Sequence, residues 1–293
     1  MKITAGSSVP DLAKQLASLL HMDWLTVDIS RFSDGETSVR FGAHAKDEDV
    51  LLVQSTGHPS NEYIMELLLM VDGLKRIGCK TLTVLMPYFG YSRQDKVTNV
   101  YEPLSAKLVA TLLASAGVDR VVAVDLHAKC IQGFFACAID HVRLQPFFAT
   151  KLTLGGYDVV VSPDVGGIER VKQVADALGL EIVVVHKIRK GPNKCTAEKL
   201  LGNVCGKRCL LVDDILDTGG TLVQAGTLLK QHGALVVDAC VSHAVLSGQA
   251  VSTIRSAPID KIYTTNSIPH KGLPGCFEVF CLADYLANAI RSL

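Results

Sequence analysis

The stretch 208–221 constrains the fold more than any other, reading Arg-Cys-Leu-Leu-Val-Asp-Asp-Ile-Leu-Asp-Thr-Gly-Gly-Thr. Cys209 to Val212 form a short apolar run suited to a buried strand. Two carboxylates, Asp213 and Asp214, follow where that strand should end. Asp217, Thr218, Gly219, Gly220 and Thr221 then turn the chain into a helix expected over 222–232. This strand–loop–helix order binds phosphate, because backbone N–H groups at a helix N-terminus lack partners and carry about half a positive charge. Gly219 and Gly220 let an anion approach closely, and Thr218 and Thr221 add hydroxyl donors. Asp213 and Asp214 would repel the phosphate and suit the hydroxyls of a sugar attached to it. Ordinary capping after a parallel strand also uses Asp, Gly and Thr, but the paired Asp, the full turn and the apolar run occur here together.

Apolar runs of strand length alternate with helix-length ones along the chain, the α/β signature with a mostly parallel sheet. Helices are expected over 9–20, 61–77 and 104–116. Strands are expected over 50–54, 81–86, 120–125, 159–162, 182–186, 209–212 and 236–243. Segments 51–87 and 210–242 read as two copies of one unit: strand, turn of small residues, helix, second strand. Their helices differ by about one turn, and only the second copy keeps the acidic pair. Chance likeness between two βαβ units is the alternative; read as a repeat, the copies imply two similar doubly wound halves, 1–139 and 140–293, with the last helix (282–293) able to lie on either. The 293 residues suffice for two domains. Basic and acidic residues, 29 of each, cancel, so no global field draws nucleic acid or an anionic membrane. No apolar run reaches about 18 residues, and the N-terminus lacks a signal-peptide core. Nine cysteines are scattered. Cys205 and Cys209 have the spacing of one helical turn, but no second pair completes a zinc set. Buried reduced thiols and a cytoplasmic location are expected.

Five further segments carry polar residues at turns or strand ends. Segment 31–36, Arg-Phe-Ser-Asp-Gly-Glu, is turn chemistry with Phe32 beside Asp34 and Glu36. Segment 87–96 follows a strand end, where open α/β sheets place ligands. Its Arg93 and Lys96 suit either a polyphosphate or a solvated basic loop. In segment 121–133, Asp125 and His127 alternate and so share one side of an emerging strand. Magnesium prefers oxygen, so chemistry alone would choose Asp125 there. Segment 159–172 runs from an apolar strand into Pro163, Asp164, Gly166 and Gly167, suiting a hard cation or a plain structural turn. Segment 183–190 sets Lys187, Arg189 and Lys190 after a buried strand, as a solvated loop or as a flap closing on polyphosphate.

The 213–221 run resembles the phosphoribosyl-binding fingerprint shared by phosphoribosyltransferases and ribose-phosphate pyrophosphokinases. The pyrophosphokinases specifically are resembled by 31–36, by Tyr-x-Arg-Gln-Asp-Lys at 91–96 and by Asp-Leu-His-Ala with Ile-Gln-Gly-Phe-Phe in 125–135. Pro-Asp-x-Gly-Gly at 163–167 and His-Lys-x-Arg at 186–189 are similar to theirs as well. Together these matches span most of the chain. The resemblance implies two doubly wound, mostly parallel-sheet domains of phosphoribosyltransferase type. It implies transfer of the pyrophosphoryl group of ATP to the anomeric hydroxyl of ribose 5-phosphate, giving phosphoribosyl pyrophosphate and AMP. Phe32, Asp34 and Glu36 would contact ATP from a loop reaching into a neighbouring subunit's site, hence at least a dimer. Arg93, Gln94, Asp95 and Lys96 would also bind ATP. Asp213, Asp214, Asp217, Thr218, Gly219, Gly220 and Thr221 would bind ribose 5-phosphate, and Lys187 and Arg189 would form a catalytic flap. Mg²⁺ would be the cofactor at His127 and Asp164, the histidine resting on resemblance alone, and the family counterpart of Asp164 binding either the ribose hydroxyls or a second Mg²⁺. The chain departs at 97–101, Val-Thr-Asn-Val-Tyr, where common relatives are strongly basic near a site of phosphate activation and ADP inhibition. That control is not implied here. A phosphoribosyltransferase, an inactive regulatory relative and a plain nucleotide-binding module are the alternatives. The first would not need 31–36 or 91–96. The second would have lost flap or metal residues, yet His127, Asp164, Lys187 and Arg189 are all present.

Overall fold

The computed structural model describes residues 1–42, 44–189 and 196–293; side chains of 187–189 and 196–198 lie outside the described set. The chain forms two units: Met1–Val142 with Asn266–Pro269 and Cys281–Leu293, and Arg143–Thr265 with His270–Phe280.

In the first unit the order is β1 (Lys2–Ala5), α1 (Pro10–Leu20), β2 (Asp23–Trp24), β3 (Val27–Arg31), β4 (Thr37–Phe41) and β5 (Asp49–Val53). There follow α2 (Ser60–Ile77), β6 (Thr81–Met86), α3 (Ser105–Ala116), β7 (Arg120–Val124) and β8 (Ala138–Val142). Six strands form a wholly parallel sheet in the order β2-β1-β5-β6-β7-β8. Val50, Leu51, Leu52 and Val53 are fully buried, as expected of a strand covered on both faces. The α2 and α3 helices stop at Gly78 and Gly117, both in the left-handed region, which glycine enters without a Cβ penalty. β3 and β4 stand apart as an antiparallel hairpin.

The second unit contains α4 (Gln145–Leu152), β9 (Val159–Ser162), α5 (Ile168–Leu178), β10 (Glu181–Arg189), β11 (Thr196–Leu201) and β12 (Arg208–Leu216). It continues with α6 (Gly220–Gln231), β13 (Val236–Ala244), α7 (Ala250–Arg255), β14 (Lys261–Thr265) and β15 (Phe277–Phe280). Its seven strands run β11-β10-β9-β12-β13-β14-β15. Only β11 is antiparallel to its neighbour. The order β9-β12-β13-β14-β15 repeats β1-β5-β6-β7-β8 of the first unit, so the two sequence copies, β5-α2-β6 and β12-α6-β13, are equivalent units of two like sheets. Their helices have 18 and 12 residues, a difference nearer a turn and a half than the single turn expected. The final helix, α8 (Ala283–Arg291), packs on α1, with Leu286, Ala287 and Ile290 buried.

Three local expectations need correction. The strand expected to stop at Val212 continues to Leu216, because β13 is equally long and pairs Asp213 with Val241 and Leu216 with Ala244. The strand expected to reach Asp125 stops at Val124. Asp125 has φ +41°, so the alternation that would set it beside His127 breaks; Asp125 is buried and His127 half-buried. Cys205 and Cys209 do not share a helix: Cys209 is buried in β12, and Cys205 is exposed in the segment before it.

Candidate active site

Three adjacent strands of the second unit point their carboxyl ends the same way, β9 stopping first while β10 and β12 run on. β9 lies between β10 and β12, pairing Ser162 with Val184 on one side and Val161 with Leu211 on the other. Ligands of open α/β sheets bind at such carboxyl ends. After β9, the Ser162 hydroxyl donates to the Asp164 carbonyl at 2.6 Å, and Asp164 Oδ1 accepts the Gly167 N–H at 2.9 Å. Asp164 is exposed. β10 pairs with β9 only over Glu181–Val184, then continues to Arg189 paired with β11. The expected flap residues Lys187 and Arg189 sit on this two-stranded extension; their side chains lie outside the described residues.

Asp213 and Asp214 stand near the end of β12, their side chains 19% and 4% exposed. Arg170 of α5 joins them: its Nη1 lies 3.2 Å from Asp213 Oδ1 and 3.2 Å from Asp214 Oδ1. The Asp214 N–H also donates to Asp213 Oδ1 at 2.9 Å. Burial first, and the neighbouring Asp214 charge second, push the Asp213 carboxyl well above the usual range, with Arg170 opposing them. The Asp217 carbonyl accepts from Ser247 N–H at 3.2 Å, bracing the turn that follows. Gly219 has φ +84°, and a Cβ there would meet Ile254 at 3.3 Å. No side chain caps α6 at that position, and Thr218 and Thr221 are exposed. The turn read from the sequence thus leads into a helix N-terminus that no side chain caps.

In the first unit, both segments expected to bind ATP converge on the first turn of α2. Arg31 forms an ion pair with Glu62 and donates to the Gly35 carbonyl at 3.1 Å. The hairpin turn is closed by Phe32 N–H to Glu36 carbonyl at 2.8 Å and Glu36 N–H to Asp34 Oδ1 at 3.0 Å. The Phe32 side chain is left 58% exposed. The Tyr91 hydroxyl bonds Asn61, and Gln94 accepts from the Ser105 hydroxyl. Cys130 donates to Asp95 at 3.6 Å, tying the segment after His127 to the 91–96 loop. Arg93 and Lys96 are exposed. The divergent 97–101 loop folds onto Glu102, which accepts from Thr98 N–H at 3.0 Å, Thr98 Oγ1 at 2.7 Å and Asn99 N–H at 2.9 Å. The Asn99 amide and Thr98 hydroxyl, with those N–H groups, pull Glu102 down to about 2.

The 87–96 loop depends on a close backbone crossing. Gly90 N–H donates to Thr56 Oγ1 at 2.7 Å, and a Cβ on Gly90 would lie 2.4 Å from the Thr56 carbonyl oxygen. A backbone atom has no rotamer by which to yield. Gly90→Ala is expected to cost about 1–3 kcal/mol, read as a lower Tm, and to weaken ATP binding measured by calorimetry. A variant with unchanged Tm and ATP affinity would show that the loop does not depend on this crossing.

Arg170, Glu62, Asn61 and Cys130 had no place in the sequence argument. Each meets its partner across a long sequence separation, so no spacing announces it. Among the described residues no cluster of three His, Cys, Asp or Glu side chains forms a metal cage. Magnesium does not require one, since it keeps several waters and takes one or two carboxylates plus substrate phosphates. Asp164 fits that use, with Oδ1 engaged by Gly167 and Oδ2 available on an exposed side chain. His127 offers nitrogen, a poorer donor to this ion.

Residues 1–117 match the family described as the N-terminal domain of ribose phosphate pyrophosphokinase, and residues 151–269 match the phosphoribosyl transferase domain. The chain is 40% identical over 300 residues to a ribose-phosphate pyrophosphokinase of Vibrio parahaemolyticus, covering 100% of this chain and 96% of that protein. It is 41% identical over 294 residues to one of Bacillus subtilis, covering 99% and 93%. A crystal structure of phosphoribosylpyrophosphate synthetase from Mycobacterium smegmatis matches with a TM-score of 0.92 at 37% identity, covering 99% of this chain and 97% of that one. With that likeness running the full length and both family domains in order, the chain belongs to the ribose-phosphate pyrophosphokinase family.

Proposed function

We propose that the chain transfers the pyrophosphoryl group of ATP to ribose 5-phosphate. The anomeric oxygen attacks the β-phosphorus, the bond from that phosphorus to the AMP oxygen breaks, and AMP leaves with phosphoribosyl pyrophosphate as the second product. The observation that carries this is the acidic pair of β12 running into the uncapped glycine N-terminus of α6, in a chain that matches the pyrophosphokinases end to end.

Such transfer needs positioning and charge neutralisation more than covalent help. The turn of Asp217, Thr218, Gly219, Gly220 and Thr221 takes the 5-phosphate through N–H and hydroxyl donors. Asp213 and Asp214 take the ribose hydroxyls and so aim the anomeric oxygen. Phe32 gives a face for the adenine ring, with Asp34 and Glu36 for its polar atoms. Arg93, Gln94, Asp95 and Lys96 hold the rest of ATP, and Lys187 and Arg189 offset charge on the transferring group. Asp164 and His127 would hold Mg²⁺, which would supply charge neutralisation to the phosphates.

We assign ATP and self-association contacts to the first unit, and the ribose 5-phosphate site and flap to the second. Association of at least two chains is supported by neighbouring helices α2 and α3, which expose the apolar pairs Met65 with Leu69 and Leu108 with Leu112. A cytoplasmic location accords with the described cysteines, which form no disulfide, and no helix among the described residues is long and apolar enough to cross a membrane. The test is AMP formation from ATP and Mg²⁺ with and without ribose 5-phosphate, at low and high inorganic phosphate. Ribose 5-phosphate-dependent AMP is expected. AMP absent under every condition would overturn the proposal and direct attention to base-dependent consumption of phosphoribosyl pyrophosphate.

A further inference from the structure

Arg170 sits where helix physics does not want a cation. It is in the first turn of α5, at the positive end of the helix dipole, where basic side chains are disfavoured. Its side chain is only 15% exposed, and its Nη1 is 3.2 Å from an oxygen of each member of the acidic pair. Arg170 and the Asp214 N–H both donate to the same oxygen of Asp213, Oδ1. Two adjacent, poorly solvated carboxylates repel one another, and among the described residues Arg170 is placed within 3.2 Å of an oxygen of each.

We propose that Arg170 is a positioning residue for ribose 5-phosphate: it offsets part of the charge of Asp213 and Asp214 and orients them so that they accept the sugar hydroxyls. This rests on the functional reading above. The guanidinium acts through the two carboxylates and not on the substrate. Its loss therefore falls on ribose 5-phosphate, because the ATP-binding residues belong to the other unit.

The experiment measures steady-state AMP formation for wild type, Arg170→Lys, Arg170→Gln and Arg170→Gln combined with Asp214→Asn. Arg170→Gln is expected to raise KM for ribose 5-phosphate about 10–100-fold, the loss of a hydrogen bond to a charged group, with KM for ATP within about twofold. Arg170→Lys should recover part of that loss, because a point charge still compensates the pair without the fork. In the Asp214→Asn background the same Arg170→Gln change should cost less, because only one carboxylate then needs the cation. A folded Arg170→Gln with an unchanged KM for ribose 5-phosphate overturns the proposal, as does an equal rise in both KM values. If Arg170→Gln does not fold, Arg170→Lys decides: a rise confined to ribose 5-phosphate supports the role, and wild-type kinetics overturn it. A wild-type protein that forms no AMP removes the functional reading and this proposal together, whereas an active wild type with an indifferent Arg170→Gln removes this proposal alone.

Discussion

Lys187→Ala is expected to lower kcat for AMP formation about 10³–10⁵-fold, the range seen when a transition-state cation is removed from phosphoryl-transfer enzymes. KM for ribose 5-phosphate should move little. The argument is one of placement. The β10 strand runs past its β9 partner, which ends at Ser162 opposite Val184. It carries Lys187 and Arg189 out on a two-stranded extension with β11. The sugar's proposed anchors, Asp213 to Thr221, belong to different elements, β12 and α6. A cation that meets the transferring group only as charge develops lowers the barrier without tightening ground-state binding. Arg189→Ala should behave in the same way, by a comparable factor. Single-turnover quench measurements with saturating ATP separate the chemical step from product release. Unchanged kcat in both variants would take the flap out of the mechanism, and a loss expressed wholly as a raised KM for ribose 5-phosphate would move it into substrate binding.

Much of this arrangement was legible in the chain because its signals are local. The 208–221 run gave strand, turn and helix from consecutive residues, and the structure reproduces that order with Gly219 at φ +84°. The strands over Thr81–Met86 and Val159–Ser162 have the bounds expected; the second is fully buried and its signal is a continuous apolar run. What stayed hidden depends on partners far along the chain. The β12 strand outruns its apolar residues because β13 offers a ladder to Leu216, and backbone pairing is indifferent to whether a side chain is Val or Asp. The hairpin β3–β4 was visible only as its Ser-Asp-Gly turn, since its strands are short and only every second residue, Val27, Ile29, Val39 and Phe41, packs on the core. Asp125 was misplaced because alternation assumes an extended backbone, and its positive φ is set by tertiary context. Arg170 lay inside a segment already singled out, yet only folding brings it 43 positions onward to Asp213.

Asp214→Asn is expected to lower activity and stabilise the protein at the same time. The acidic pair is poorly solvated and its members repel, so the folded state holds a proton at a pH where the unfolded chain has released it. The sign follows from linkage. Between the ordinary carboxylate pKa, about 4, and the raised folded value, the native state binds more protons than the unfolded state. Stability therefore falls as pH rises through that window, and the full penalty stands above the folded pKa. Neutralising Asp214, the more deeply buried partner, leaves Arg170 matched to Asp213 alone and removes the part of the penalty that comes from repulsion between the pair, the burial of Asp213 remaining. Thermal denaturation at pH 5 and pH 8.5 should show the variant gaining about 0.5–2 kcal/mol over wild type at the higher pH, with little gain at the lower. Meanwhile kcat/KM for ribose 5-phosphate should fall about 10–100-fold, the loss of a charged acceptor for a sugar hydroxyl. A variant less stable than wild type at pH 8.5 would mean that Arg170 already compensates both charges. The pair would then be a structural ion-pair network rather than strain kept for binding. Full activity in the variant would leave the sugar hydroxyls to Asp213 alone.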